Sequence, residues 1–410
     1  MDLTNQPLPL AQRSRPLRIL YCIGKAEFAR FATEGKSPNA STVYRVVMPL
    51  MKLMETGRFE CRISDEFQMM NGTLAPDKYN PNIGWCDIVV FPRLINIDPA
   101  AIGPIIRSLK FRGKIVAYEH DDYYFELSRS TYNRHTFTGD QLEATRIAMR
   151  EADLVTAPNG YLIERSMAAA GREKPPISRV IPNAVSMEEW EEAAKLRKPH
   201  GNVRILLSGA YNHYLDWIGI FPAVKRIKDK FAEGVEIHVQ GVDRRRIPTL
   251  KGDKGFTPHF YYDSLELVEK YSSLGTVWHE PTDLQGYPSM LNAISPDIGL
   301  IVTGDAVFDM CKSTLKFIDY TMAGAATVCS ANLPYVAEIG SAETCFATSE
   351  ADWVTAIEAL VIDPGMRRRK LERSIDKVKE KYSLEAVAPL WAEAFEAAYV
   401  AKYGNAIIVA

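Results

Sequence analysis

Apolar positions along the chain alternate between two patterns. Short solid runs recur, as in "LRILYC" (17–22), "CDIVVF" (86–91), "KIVAY" (114–118) and "ADLVTA" (152–157). Between them lie longer stretches whose apolar residues return every three or four positions, the period of an amphipathic helix. "STVYRVVMPLMKLMETG" predicts one such helix, with Val43, Val46, Val47, Leu50 and Met54 on its inner side. A solid run has no polar alternation, so it predicts a strand buried on both faces. That is the strand type of a parallel sheet covered by helices.

The rhythm occurs twice. After "RVIPNAV" the chain turns highly charged and then breaks at Pro and Gly ("SMEEWEEAAKLRKPHGN"), and it restarts at "VRILLSGAYNHYLDW". "VEIHVQGV", "TVWHEP", "DIGLIVTG" and "AATVCS" continue it as strands. The expected architecture is α/β: two Rossmann-like, doubly wound parallel-sheet domains facing across a cleft. The expected boundaries are a leader 1–16, a first domain 17–188, a linker 189–202 and a second domain 203–380. A C-terminal helix 381–410 is expected to pack back across the domains. Folds of this kind hold ligands at the carboxyl ends of their strands.

The length of 410 residues suits two domains, and 47% hydrophobic with 24% charged residues is a globular composition. A net charge of −2 supplies no global attraction to nucleic acid or to an acidic membrane. The six cysteines form no CxxC pair, and several sit in apolar runs, as thiols in a reducing compartment do. "MDLTNQPLPLAQRSRPLR" lacks a signal-peptide core, and no run reaches the ~18 apolar residues needed to span a bilayer. The expected location is cytoplasmic.

Candidate chemistry follows the strand ends. The first half offers Gly24, the segment Gly35, Lys36, Ser37, Asn39 and Ser41, then Arg45, Arg93 and "EHDDYY" (119–124). The second offers "SGAYNHYLD", with Gly209, His213 and Asp216, and the stretch "CKSTLKFIDYTMAGA". At about 100° per residue, Lys312, Lys316, Asp319 and Tyr320 share one side of a helix, while Leu315, Ile318 and Met322 share another. Small residues admit a ligand to the backbone, and lysines at a helix N-terminus attract phosphate. A solvated face with an ordinary Lys–Asp pair is the bland alternative. Arg45 reads equally as a surface charge. No GxGxxG follows the first strand and no GxxxxGK[ST] occurs, against a dinucleotide enzyme and a P-loop ATPase.

"DIGLIVTGDAVFDMCKSTLKFIDYTMAGAATVCSANLPY", with support from "VIPNAV", "YEHDD" and "SGAYNHYLD", resembles the donor-site block of the GT-B glycosyltransferases of group 1, or family 4, which act with retention of configuration. The resemblance implies that Lys312, Lys316, Ser313 and the helix N-terminus hold the donor's diphosphate and that Asp319, where the family has glutamate, orients the ribose. The family's second glutamate corresponds to Cys311, and Asp309 stands two residues away as a substitute. Gly209 and His213 belong to the donor side. His120 takes the place of the histidine that touches the donor sugar, with Asp121 or Asp122 fixing the imidazole or an acceptor hydroxyl. The segment from Gly35 to Ser41 and Arg45 lies over the phosphates or the acceptor.

The resulting expectation is transfer of a sugar from a nucleoside-diphosphate sugar, with neither metal nor cofactor. The acceptor is open: a glycan, a lipid-linked sugar, a small molecule or a nucleic-acid base. The rivals are a GT-B sugar-nucleotide epimerase or hydrolase, a metal-dependent transferase using "HDD", and a non-catalytic sugar-nucleotide-binding or scaffold protein on a decayed transferase fold. Neither the oligomeric state nor the donor's base is legible.

Overall fold

The structure, a computed structural model, describes residues 15–24, 28, 40–65, 81–129, 131–172, 177–332 and 335–404. They divide into two compact units. The first is drawn from Met1–Phe125, Thr138–Ala184 and Leu384–Ala410, the second from Glu126–Phe137 and Val185–Ser383. Residues 126–137, inside the expected span 17–188, thus count with the second unit.

The first unit is built on six parallel strands: β1 (Leu17–Cys22), β2 (Phe59–Ser64), β3 (Ile88–Pro92), β4 (Ile115–Glu119), β5 (Leu154–Ala157) and β6 (Ile177–Val180). Their order is β2-β1-β3-β4-β5-β6. Alternate residues serve opposite faces. Leu20, Val89, Phe91, Val116 and Tyr118 pack with Ile102, Ile106 and Met149 on one side. Ile19, Tyr21, Val90 and Ala117 pack with Leu50, Leu53, Trp391 and Phe395 on the other. Both faces are covered, hence the unbroken apolar runs. The Leu384–Tyr403 helix supplies much of the second layer.

The helix after β1 departs from the expected phase. Val43–Val47 is π-helical before the α-helix Met48–Glu55. A π turn holds one residue more than an α turn and rotates the residues beyond it. The buried set becomes Val46, Leu50 and Leu53, while Met54 turns outward at 43% exposure.

The second unit has β7 (Val203–Ser208), β8 (Val235–Gln240), β9 (Val277–His279), β10 (Ile298–Ile301), β11 (Ala326–Ser330) and β12 (Thr344–Ala347). All are parallel, in the order β12-β11-β10-β7-β8-β9. The chain begins at β7, winds outward through β8 and β9, then returns to β10 on the other flank. The direction of winding reverses between β7 and β10, the point at which doubly wound sheets open a crevice. Ile205, Leu207, Ile237, Val239, Leu300 and Val328 pack against Trp217, Leu267 and Ile357 on one face. Among the described residues no helix is long and apolar enough to cross a membrane, and none of the six cysteines forms a disulfide.

Candidate active site

In the second unit the crevice is lined from β7 and β10. Ser208 ends β7 and Gly209 follows; a Cβ at Gly209 would lie 2.5 Å from Lys316 Nζ and 2.8 Å from His213 Cδ2. Gly241, after β8, has φ +96°, and a Cβ there would overlap the Gly209 carbonyl. The second glycine lets the two loop backbones touch, and "VQGV" mirrors "LLSGA" as the sequence signal for it. Beyond β10, a Cβ at Gly304 would meet Asp309 Oδ2 at 2.7 Å and Asp216 Oδ1 at 4.0 Å. Gly209, His213, Asp216, Asp309 and Lys316 therefore converge on the reversal point.

The Lys–Asp helix differs from expectation in its start. It runs Leu315–Met322. Cys311 and Lys312 are used up in closing the short Val307–Met310 helix, through Cys311 N to Val307 O (3.1 Å) and Lys312 N to Asp309 O (3.1 Å). Lys312 and Ser313 thus lie in the connecting turn and share no helix face with Lys316. Lys312 Nζ sits 4.0 Å from the Phe308 ring centroid. Past its end, Gly324 is left-handed at φ +88°.

Nor is the face a solvated one. Asp319 is 5% exposed and Tyr320 1%. Tyr320 packs against Gly299 of β10, where a Cβ would lie 2.5 Å from its ring, and its hydroxyl accepts the Ser208 N–H at 2.7 Å. Lys316 Nζ donates to the Ser208 carbonyl. The Asp319 Oδ1 atom is buried with no hydrogen-bond partner among the described residues. Burial drives this pair toward neutrality: it pushes Asp319 up against the pull of Lys316, and it pushes Lys316 down against the pull of Asp319 and Asp216. Asp216 is pushed well up by burial and by Asp309, and His213, 3.3 Å from it, is pushed well down by burial and by both lysines. Burial thus disfavours the charged forms of Asp216 and Asp319 beside two lysines, a balance that tolerates an anion.

In the first unit His120 follows β4 and is fully buried. Its Nδ1 lies 3.2 Å from the Tyr118 hydroxyl, which itself donates to the Arg93 carbonyl at 2.7 Å. With the tyrosine proton engaged there, Nδ1 is the donor and Nε2 carries the lone pair. That Nε2 is buried and unpartnered among the described residues. Burial lowers the His120 pKa to about 4. Tyr124 and Phe125 close around the ring at 5.7 and 6.5 Å between centroids.

Asp121 or Asp122 was expected to fix the imidazole or an acceptor hydroxyl; among the described residues the ring's hydrogen bond is to Tyr118. Tyr118 and His120 point to the same side of the strand, and Asp121 turns away. Asp121 accepts from Arg93 Nε at 2.9 Å and from the Tyr124 hydroxyl. Burial raises its pKa, but Arg93, Ser41 and Tyr124 outweigh it and hold the carboxylate ionised. Arg93 adopts φ +63°, rare outside glycine. Asp122 is half-buried.

Arg45, expected over the phosphates or the acceptor, is 2% exposed and forked onto the fully buried Glu119, Nε to Oε1 at 2.5 Å and Nη2 to Oε2 at 3.1 Å. A buried carboxylate demands such a partner. Gly35, Lys36, Ser37 and Asn39 lie outside the described residues. Sequence reasoning missed Tyr118, Gly241 and the Arg45–Glu119 pair.

No protein-family model and no curated protein matches the sequence. Solved structures match the fold. HepE of Anabaena, in complex with UDP and glucose, gives a TM-score of 0.59 at 13% identity, over 93% of this chain and all of that one. Sucrose-phosphate synthase from Thermosynechococcus elongatus gives 0.60 at 12%, over 94% and 100%. A protein from Listeria monocytogenes assigned as a UDP-N-acetylglucosamine 2-epimerase gives 0.51 at 11%, over 96% and 100%. At these identities the likeness is one of architecture: the chain has the GT-B fold, two parallel six-stranded sheets each flanked by helices.

Proposed function

We propose that the protein is a glycosyltransferase that takes a sugar from a nucleoside-diphosphate sugar, with retention of configuration and without a metal. One observation carries the reading. At the winding reversal of the second sheet, a glycine-lined loop, a lysine and a buried carboxyl with an unsatisfied oxygen converge. A diphosphate supplies the charge that Lys316 and Lys312 complement. A ribose diol supplies the donors and acceptors that Asp319 lacks. Asp309, 7% exposed beside Gly304, takes the place of the family glutamate that Cys311 vacates.

In the chemical step negative charge grows on the departing nucleoside diphosphate. A lysine already held beside the loop stabilises that charge without reorganisation. His120 acts at the sugar: its Nε2 lone pair accepts a hydroxyl proton in a hydrogen bond, and the Tyr118 contact holds the ring. The similar structures include one bound to UDP and glucose, which favours a uridine donor.

The test is a thermal-shift panel with UDP-, GDP-, ADP-, CMP- and dTDP-sugars, with and without EDTA. A ligand that binds only the folded state raises the melting temperature by mass action. The expected result is one sugar nucleotide, a UDP-sugar, stabilising equally in EDTA. No shift from any donor overturns the reading. Conversion of the donor sugar to its epimer without transfer moves the chain to the epimerase class.

A further inference from the structure

Two carboxylates flank His120, and both are gripped by one helical stretch. Glu119 points to the face of the first sheet that carries Leu50 and Trp391, and Arg45 forks onto it there. Thr156 also donates to Glu119 Oε2, and Arg45 continues to the Ile181 carbonyl and to Asn183 Oδ1 (3.3 Å), with its guanidinium 5.3 Å from the Trp391 ring centroid. Asp121 lies on the other side of His120 and accepts from the Ser41 hydroxyl. Ser41 and Arg45 are four residues apart, and Arg45 sits inside the π turn Val43–Val47. The backbone between the two carboxylates is pinned as well, by Arg93 N to Glu119 O at 2.8 Å and His120 N to Thr156 O at 2.8 Å.

We propose that Arg45 and Ser41 are positioning residues for His120: by holding Glu119 and Asp121 they fix the backbone on either side of it, so that the ring stays on the Tyr118 hydroxyl that sets its tautomer and Nε2 is presented without a proton. Arg45 sits within the π turn Val43–Val47, and from there its guanidinium reaches Glu119. The consequence for catalysis rests on the reading that His120 acts at the donor sugar.

Single removal of Arg45 strands a buried carboxylate, so the informative variant is Arg45→Gln with Glu119→Gln, which removes both charges together. The measurement is the ¹⁵N spectrum of the histidines against pH, with His120→Asn to assign the signal. In the wild type His120 is expected as the Nδ1–H tautomer, neutral down to about pH 4. In the double variant the tautomers mix and the titration moves upward, because the nearby Arg45 charge that helps depress it is gone. An unchanged tautomer and titration in a folded double variant overturns the proposal. Turnover of UDP-glucose, followed as UDP release, separates this failure from that of the functional reading. A tenfold or larger fall in kcat with KM within twofold supports positioning. Loss of turnover in His120→Asn with a double variant like wild type overturns positioning alone, whereas full turnover in His120→Asn overturns the role of His120 itself.

Discussion

At the scale of single residues, burial disfavours the charged form both of Asp319 in the second unit and of His120 in the first. Burial raises the Asp319 pKa to about 7, so its carboxyl can give as well as accept hydrogen bonds with a diol. Asp319→Asn keeps the shape and loses one acceptor. It is expected to weaken UDP binding by roughly 1–3 kcal/mol while inorganic pyrophosphate loses less. Lys316→Ala should show the reverse order; calorimetric titration of both ligands decides, and equal losses in both variants would assign the pair a structural role. His120 is kept neutral, which has a consequence for stability. Its folded pKa of about 4 lies below the ordinary value of 6.5, so the unfolded chain binds the extra proton between those limits. Stability therefore falls as pH drops from about 6.5 to about 4, by up to about 3 kcal/mol relative to His120→Asn. Urea midpoints of the two proteins at pH 7 and pH 4.5 measure it, and parallel pH profiles would show that His120 titrates normally.

At the scale of elements, β1, β3, β4 and β5 were legible because both their faces are buried, and the winding pattern because βαβ alternation forces it; the edge strands β2 and β12, only partly buried, were not. Phase within helices was not. A π turn leaves no compositional mark in "STVYRVVMPL", so Leu53 rather than Met54 faces the core, and Arg45 enters it. Cys311–Thr314 likewise carried a helical pattern, but closing the preceding short helix took those residues. Gly299 illustrates what sequence hides: within "DIGLIVTG" it reads as an incidental small residue, yet the Tyr320 ring lies where a side chain would be. Gly299→Ala would place a Cβ 2.5 Å from that ring. The expected cost is about 1–3 kcal/mol from overpacking, with loss of the Tyr320–Ser208 bond that seats the Lys316 helix. Chemical denaturation reads the first effect, and weaker UDP binding in the folded variant reads the second. A variant as stable as wild type would remove Tyr320 from β10.

At the scale of the whole molecule, chain order and structural order part company at the C-terminus. The Leu384–Tyr403 helix follows the second unit in sequence but belongs to the core of the first, where Trp391, Phe395 and Tyr399 are each about 1% exposed or less. A terminal amphipathic helix was legible from "SLEAVAPLWAEAFEAAYVAKYG"; the layer it joins was not, since an apolar stripe names no partner. The separation of cores makes a prediction that neither unit's residues make alone. Trp391→Ala removes a large side chain from the core of the first unit, and it should cost about 3–5 kcal/mol in urea unfolding. The residues assigned to the nucleotide all lie in the second unit. The dissociation constant for UDP, measured at a temperature where the variant is folded, should therefore stay within about twofold of wild type. A tenfold loss of UDP affinity in folded Trp391→Ala would mean that the first unit's core helps to build the nucleotide site, and the assignment of donor binding to the second unit would fail.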